Sequence, residues 1–295
     1  MVKLAYCILT YKEPERVVRL INRLQTEEDL FYVHFDKKVG KQKFAEWKQI
    51  IEANCQSANL TVVSHRLCKW GSFGNVEALL DAARYFKKFD YNYYINLSGD
   101  CYPIKPIREI KKTFEGSSLG YLEFFKLPCT HWSGNGGLDR LYQRFYFFSF
   151  GRKPYPKIVS IPRLIRKVPG NLSPYGGSVW FCLPKEQIEY AADFADSNPR
   201  LKSFYKRSGG SDEMFFQTVL ANSPYKSKLI NNNMRYINWK EGDQGHPKIL
   251  TQADLEVAFN SGKFFARKFS LSADANILQR IDEAVHTNLQ KEKIN

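Results

Sequence analysis

Apolar runs and segments of helical period alternate along the first hundred residues. Residues 4–10 form an apolar run ending in Thr10-Tyr11-Lys12, which predicts a first strand. Pro14 suits the first turn of a helix reaching Leu24. Phe31 to Asp36 reads as a second strand, followed by a helix over 41–54 and a short strand at Thr61-Val62-Val63. Asn75 to Phe86 places Val76, Leu79, Leu80, Ala83 and Phe86 on one face, the mark of an amphipathic helix. A fourth strand, Tyr93 to Leu97, ends in Ser98-Gly99-Asp100. Strands alternating with helices predict an α/β fold, with a mostly parallel central sheet flanked by helices. Such sheets bind ligands beyond the carboxyl ends of their strands, where Thr10, Asp36, Ser98, Gly99 and Asp100 fall. No GxGxxG accompanies this layout, which argues against a nicotinamide cofactor.

The second half is less regular. Leu119 to Phe125 predicts a strand, and 126–139 a glycine-rich loop with His131 and Trp132. Arg140 and Arg144, at i and i+4, predict a shared helix face amid Tyr142, Phe145 and Tyr146. Gly176 to Leu183 reads as a strand and Lys185 to Phe194 as a helix. In Ser208 to Leu220, Gly209 and Gly210 form a hinge, and Ser211 is an N-cap candidate. Asp212 and Glu213 then fall in the first turn of a helix whose apolar face is Phe215, Phe216, Val219 and Leu220. A carboxylate there, near the positive helix end, stays ionised and suits a general base; acids at helix starts also serve stability alone. A strand at 234–239, a loop at 241–247, a helix from Gln252 and a terminal helix over 275–290 complete the reading. No linker or repeat divides the chain, so 1–295 is read as one domain.

Composition adds a partner class. The chain is 43% hydrophobic, enough for a substantial core, and 15% aromatic. Its 44 Lys and Arg against 30 Asp and Glu give a net charge of +14, which implies an anionic partner. No zinc-finger spacing, RNA-binding aromatic motif or basic tail points to nucleic acid. The six cysteines form no CxxC pair and read as reduced thiols. The N-terminus lacks signal-peptide character, and no apolar run approaches the roughly 18 residues of a membrane span. A cytoplasmic protein is expected, peripheral on the inner membrane face. Residues 151–170, with Arg152, Lys153, Lys157, Arg163, Arg166 and Lys167 among apolar residues, are the expected anionic-membrane surface, in short helical pieces. The five histidines show no metal-ligand spacing, and Glu77 reads as a cap-region acid.

Six motifs occur in order: Val33-His34-Phe35-Asp36, Lys69-Trp70-Gly71, Asn96 to Pro103, Gly177-Ser178-Val179-Trp180, Ser211-Asp212-Glu213 and Phe265-Ala266-Arg267-Lys268-Phe269. Over residues 3–270 this sequence resembles the core-2/I-branching β-1,6-N-acetylglucosaminyltransferase family, which includes peptide O-xylosyltransferases. The resemblance implies a GT-A-type glycosyltransferase fold and inverting transfer from a UDP-sugar, GlcNAc first, to a glycan or lipid-linked glycan. It implies Glu213 as the general base, with Ser211 where the family usually has Pro. It implies Lys268 and Arg235 as the cations that neutralise the diphosphate in place of a metal, with Arg267 in reserve. Thr10, Asp36, Trp70, Gly71, Ser98, Gly99 and Asp100 become nucleotide-site candidates, and Glu123, Arg140 and Trp239 acceptor-site candidates. No cofactor is expected: Asp36-Lys37-Lys38 is not the paired-carboxylate motif a hard cation needs. A second reading, a catalytically inactive carbohydrate- or polyanion-binding module, rests on the +14 charge; such a module needs no Glu213 together with Lys268 and Arg235.

Overall fold

A computed structural model describes residues 2–55, 57, 59–148, 157–161, 166–242 and 245–294. Its frame is a seven-stranded sheet. In chain order the strands are β1 (Leu4–Thr10), β2 (Leu30–Phe35), β3 (Leu60–Val63), β4 (Tyr93–Ser98), β5 (Tyr102–Pro103), β6 (Gly120–Lys126), β7 (Arg144–Phe148), β8 (Lys157–Ile161), β9 (Tyr175–Pro184), β10 (Leu229–Ile230), β11 (Arg235–Ile237) and β12 (Phe265–Arg267). The large sheet runs β10-β6-β9-β4-β1-β2-β3. Strands β4, β1, β2 and β3 pair in parallel, while β9 is antiparallel to both β4 and β6. Strands β11, β12 and β5 make a second small sheet, and β7 and β8 a hairpin.

Period-two alternation sends the mainly apolar side chains of the central strands to both faces. Leu4, Tyr6, Ile8, Phe31, Val33, Tyr93 and Ile95 face one core, with the Pro14–Leu24 and Lys41–Asn54 helices and the small sheet. Ala5, Cys7, Leu30, Tyr32 and Tyr94 face the other, with the Phe73–Phe86, Lys185–Ser197 and Phe215–Ala221 helices. A sheet covered on both faces leaves only its edges open, and the parallel strands end together at one of them.

Several expectations need correction. The Arg140–Arg144 helix ends at Tyr142; Arg144 opens β7, because the aromatic run Phe145 to Phe148 pairs with β8. Within 151–170, residues 157–161 form strand β8 rather than a helical piece. Arg152, Lys153 and Arg163 lie outside the described residues. Arg166 turns inward, donating to the Gln143, Phe204 and Arg207 carbonyls, so it is not a free surface cation. Helices at Ile107–Phe114 and Pro199–Tyr205 were not anticipated. Among the described residues no helix is long and apolar enough to cross a membrane.

Candidate active site

The carboxyl ends of β1, β2 and β4, together one edge of the site, are held by backbone contacts that the sequence dictates. The Asp36 amide donates to the Thr10 carbonyl at 2.8 Å, so β1 and β2 stay paired to their ends. A side chain at Gly99 would meet Thr10 Oγ1 at 2.6 Å, so only glycine lets the 98–100 turn lie on β1. Asp36 is 3% exposed; its Oδ1 accepts from the Lys38 amide at 3.0 Å and its Oδ2 lies 3.4 Å from Lys38 Nζ. Asp100 lies 3.3 Å from Arg16 Nη2 and 4.0 Å from Lys12 Nζ. Ser98 turns its hydroxyl toward the Asp100 amide and the Cys101 thiol.

Strand β12 brings the FARKF stretch to this edge. It pairs antiparallel with β5, and beyond the ladder the Phe269 amide donates to the Asp100 carbonyl at 3.2 Å. Arg16 Nη2 donates to the Phe269 carbonyl at 2.9 Å, tying helix, turn and strand at one point. Sequence reasoning passed over Arg16. The signal was present, because Arg16 shares its helix stripe with buried Leu20 and Leu24. Lys268 is half-buried; its carbonyl accepts from the Leu250 amide, and its Nζ engages no described residue. The Arg267 guanidinium lies 4.6 Å from the centre of the Trp180 ring.

Arg235 is elsewhere, contrary to expectation. It is 3% exposed, and its terminal nitrogens donate to the carbonyls of Asn96, Phe181 and Asn233 and to Cys182 Sγ. Its buried terminal nitrogens tie β4 and β9 to β11. Arg235→Met is therefore expected to cost about 3 kcal/mol of stability, by stranding buried carbonyls, and to leave UDP affinity of the folded protein unchanged. Urea denaturation and UDP titration check this; an unchanged midpoint with weakened UDP binding would restore the original role.

The Glu213 loop docks on the segment that follows β3. Gly71 holds φ +67° and its carbonyl accepts from the Ser211 amide at 3.1 Å. Asn75 Nδ2 donates to Asp212 Oδ2 at 2.7 Å. Ser211 is no N-cap: its hydroxyl donates back to the Tyr205 and Ser208 carbonyls. Residues Ser211–Glu213 form a separate 3-10 turn, and Met214, with φ −134°, breaks it from the Phe215–Ala221 helix. The helix-end explanation for an ionised Glu213 therefore lapses. A cation faces it instead: Arg140 Nη1 donates to Glu213 Oε2 at 2.6 Å. Arg140 thus addresses the candidate base. Burial first, and then the Glu213 charge, push the Asp212 carboxyl up to about 7.

Glu123 stands at a bulge in β6, where Oε2 accepts from Asn233 Nδ2 at 2.7 Å. Burial raises the pKa of its carboxyl, and the Glu213 charge adds to the shift. Trp239 is 54% exposed and Trp70 is 64% exposed; the Trp70 ring lies 6.4 Å from that of His246, so the loop after β11 reaches across to the Trp70 rim. Glu77 pairs with Arg66 and Lys206, a structural role. His34 is buried and accepts from the Arg66 amide, and His65 pairs with Asp81. Among the described residues no three His, Cys, Asp or Glu side chains are grouped to hold a metal ion.

Comparison with known proteins sets this geometry in context. The family profile described as Core-2/I-Branching enzyme matches residues 4–260. Xylosyltransferase 1 of Rattus norvegicus is 23% identical over 311 residues, covering 97% of this chain and 36% of its own. Xylosyltransferase 2 of Canis lupus familiaris is 26% identical over 305 residues, covering 95% of this chain and 33% of its own. The chain therefore spans only a minor part of these relatives' length. A crystal structure of S. aureus TarS 1–349 is similar over 77% of this chain and 57% of its own, with 11% identity and a TM-score of 0.38.

Proposed function

The chain belongs to the core-2/I-branching enzyme family, a family of glycosyltransferases, and from that premise we propose inverting transfer of a sugar from a UDP-sugar to a glycan hydroxyl, with Glu213 as general base. One observation carries the reading. Glu213 lies on a loop docked against Gly71 and Asn75, which follow β3, with Oε2 held by Arg140, while Oε1 engages no described residue. In the proposed step Oε1 takes the proton of the acceptor hydroxyl as its oxygen bonds to the anomeric carbon. The bond from that carbon to the diphosphate oxygen breaks, and UDP leaves with the electron pair. Lys268 stabilises the charge that develops on the diphosphate. Arg267, stacked on the Trp180 ring, remains only the reserve cation of this proposal. Thr10, Asp36, Trp70, Gly71 and the 98–100 turn are proposed for the nucleotide side, and Glu123 and Trp239 for the acceptor side.

The donor proposed is UDP-GlcNAc. The xylosyltransferases among the relatives make UDP-xylose the second reading. UDP release from UDP-GlcNAc, UDP-xylose, UDP-glucose and UDP-galactose decides between them. Release from none would refute the enzyme reading in favour of a binding module.

Metal independence is part of the same proposal. Asp36 and Asp100 are each engaged by their own cations, Lys38 for one and Arg16 with Lys12 for the other. That leaves fixed cations to do what a divalent ion does elsewhere. Turnover is expected to persist in excess EDTA. Loss on chelation with recovery on Mn²⁺ or Mg²⁺ would overturn this part.

A further inference from the structure

Glycines are spaced around the candidate base in a way the reaction itself does not explain. Gly210 holds φ +63°, and a side chain there would meet Arg140 Nη1 at 2.8 Å and Glu213 Oε2 at 3.4 Å. The missing side chain is room for the ion pair. Gly209 lies against the Phe145 ring, where an added carbon would stand 2.9 Å from the nearest ring atom. The Gly209 amide donates to the Arg140 carbonyl at 2.9 Å, so the two loops are joined through their backbones as well. Arg140 is seated from its other side by Trp132, whose ring centre is 3.9 Å from the guanidinium carbon. Trp132 packs in turn edge-on against Phe125 of β6. The guanidinium is thus fixed by an aromatic shelf, a backbone hydrogen bond and a glycine gap, all converging on one carboxylate oxygen.

We propose that Arg140 is the positioning residue of the base: it orients Glu213, holds it as the carboxylate, and leaves Oε1 directed at the incoming hydroxyl. The inference rests on the reading of Glu213 as general base. Its physical need is geometric: a general base must hold its free oxygen toward the acceptor hydroxyl, and a half-exposed glutamate does not do so unaided. Among the described residues Arg140 is the cation in contact with Glu213. A charge-assisted hydrogen bond of 2.6 Å lowers the energy of the ionised form and restricts the rotamer together.

The sign of the effect follows. Removing the cation favours protonated Glu213, so the acidic limb of the pH–rate profile moves to higher pH. An opposite charge in contact favours the ionised form of a carboxylate, so its removal moves the limb in that direction. The test uses Arg140→Gln, Arg140→Lys and Trp132→Leu in the full chain. UDP release from the donor that turns over is followed from pH 4.5 to 8. Carbon-13 NMR of labelled glutamate side chains, with the Glu213 signal assigned by Glu213→Gln, gives the acidity of Glu213 with no donor present. The proposal expects Arg140→Gln to raise the Glu213 midpoint and the kinetic limb together. Arg140→Lys should restore most of both, and Trp132→Leu should move both part of the way. An unmoved Glu213 midpoint with lowered turnover or thermal stability would make Arg140 merely structural. An unmoved midpoint with only the acceptor KM raised would return it to acceptor binding. The NMR arm stands even if Glu213 proves not to be the base, so the two failures are told apart.

Discussion

Glu213→Gln is expected to lower UDP-sugar turnover by about a hundredfold to ten-thousandfold while leaving UDP affinity and folding intact. The amide keeps the size of the carboxylate, and its oxygen still accepts from Arg140 Nη1. It cannot take a proton from the acceptor hydroxyl. Glu213 is half-exposed and contributes no core packing, so the fold has little stake in its charge. Asp212→Asn is the matched control. Asp212 is buried against Asn75, and burial already drives it toward the neutral form that the amide imitates. Near-wild-type turnover in Glu213→Gln would remove the base from the account.

Lys268→Ala should impair turnover and UDP binding together. The loss expected in kcat is about a hundredfold to a thousandfold, the scale for removing one donor that meets developing charge. Affinity for UDP should fall about tenfold or more, since a charged hydrogen bond contributes roughly 1.5–3 kcal/mol. Arg16 is the route by which this lysine is held in place, through the Phe269 carbonyl and Asp100. Unchanged UDP affinity in Lys268→Ala, by calorimetric titration, would place the diphosphate elsewhere.

The frame was legible in the sequence because it rests on periodicity. Strands covered on both faces read as nearly continuous apolar runs, and β1, β2 and β4 are read correctly for that reason. The strand-end residues Thr10, Asp36 and Asp100 followed from topology alone. What failed depended on partners distant in the chain. Arg235 looks like any other basic residue until the Asn96 carbonyl, 139 positions away, is seen to take its hydrogen bond. Ser211 has the composition of an N-cap, yet Tyr205 and Ser208 offer buried carbonyls that outcompete the helix start. The i, i+4 spacing of Arg140 and Arg144 favoured a helix, whereas the aromatics after Tyr142 favoured a strand, and the hairpin with β8 decided it. The ion pair between Arg140 and Glu213 joins residues 73 positions apart, beyond any local pattern. The glycine pair at 209 and 210 was visible, but its reason, space for that ion pair and for Phe145, needed coordinates.

The central claim is a direct displacement at the anomeric carbon assisted by Glu213. Proton NMR of the first sugar product formed from an α-linked UDP-sugar, recorded before mutarotation, tests it most directly. The account predicts that the β-anomer appears first with the wild-type chain and that Glu213→Gln forms almost none. First appearance of the α-anomer, or no product from any of the four donors, would contradict it.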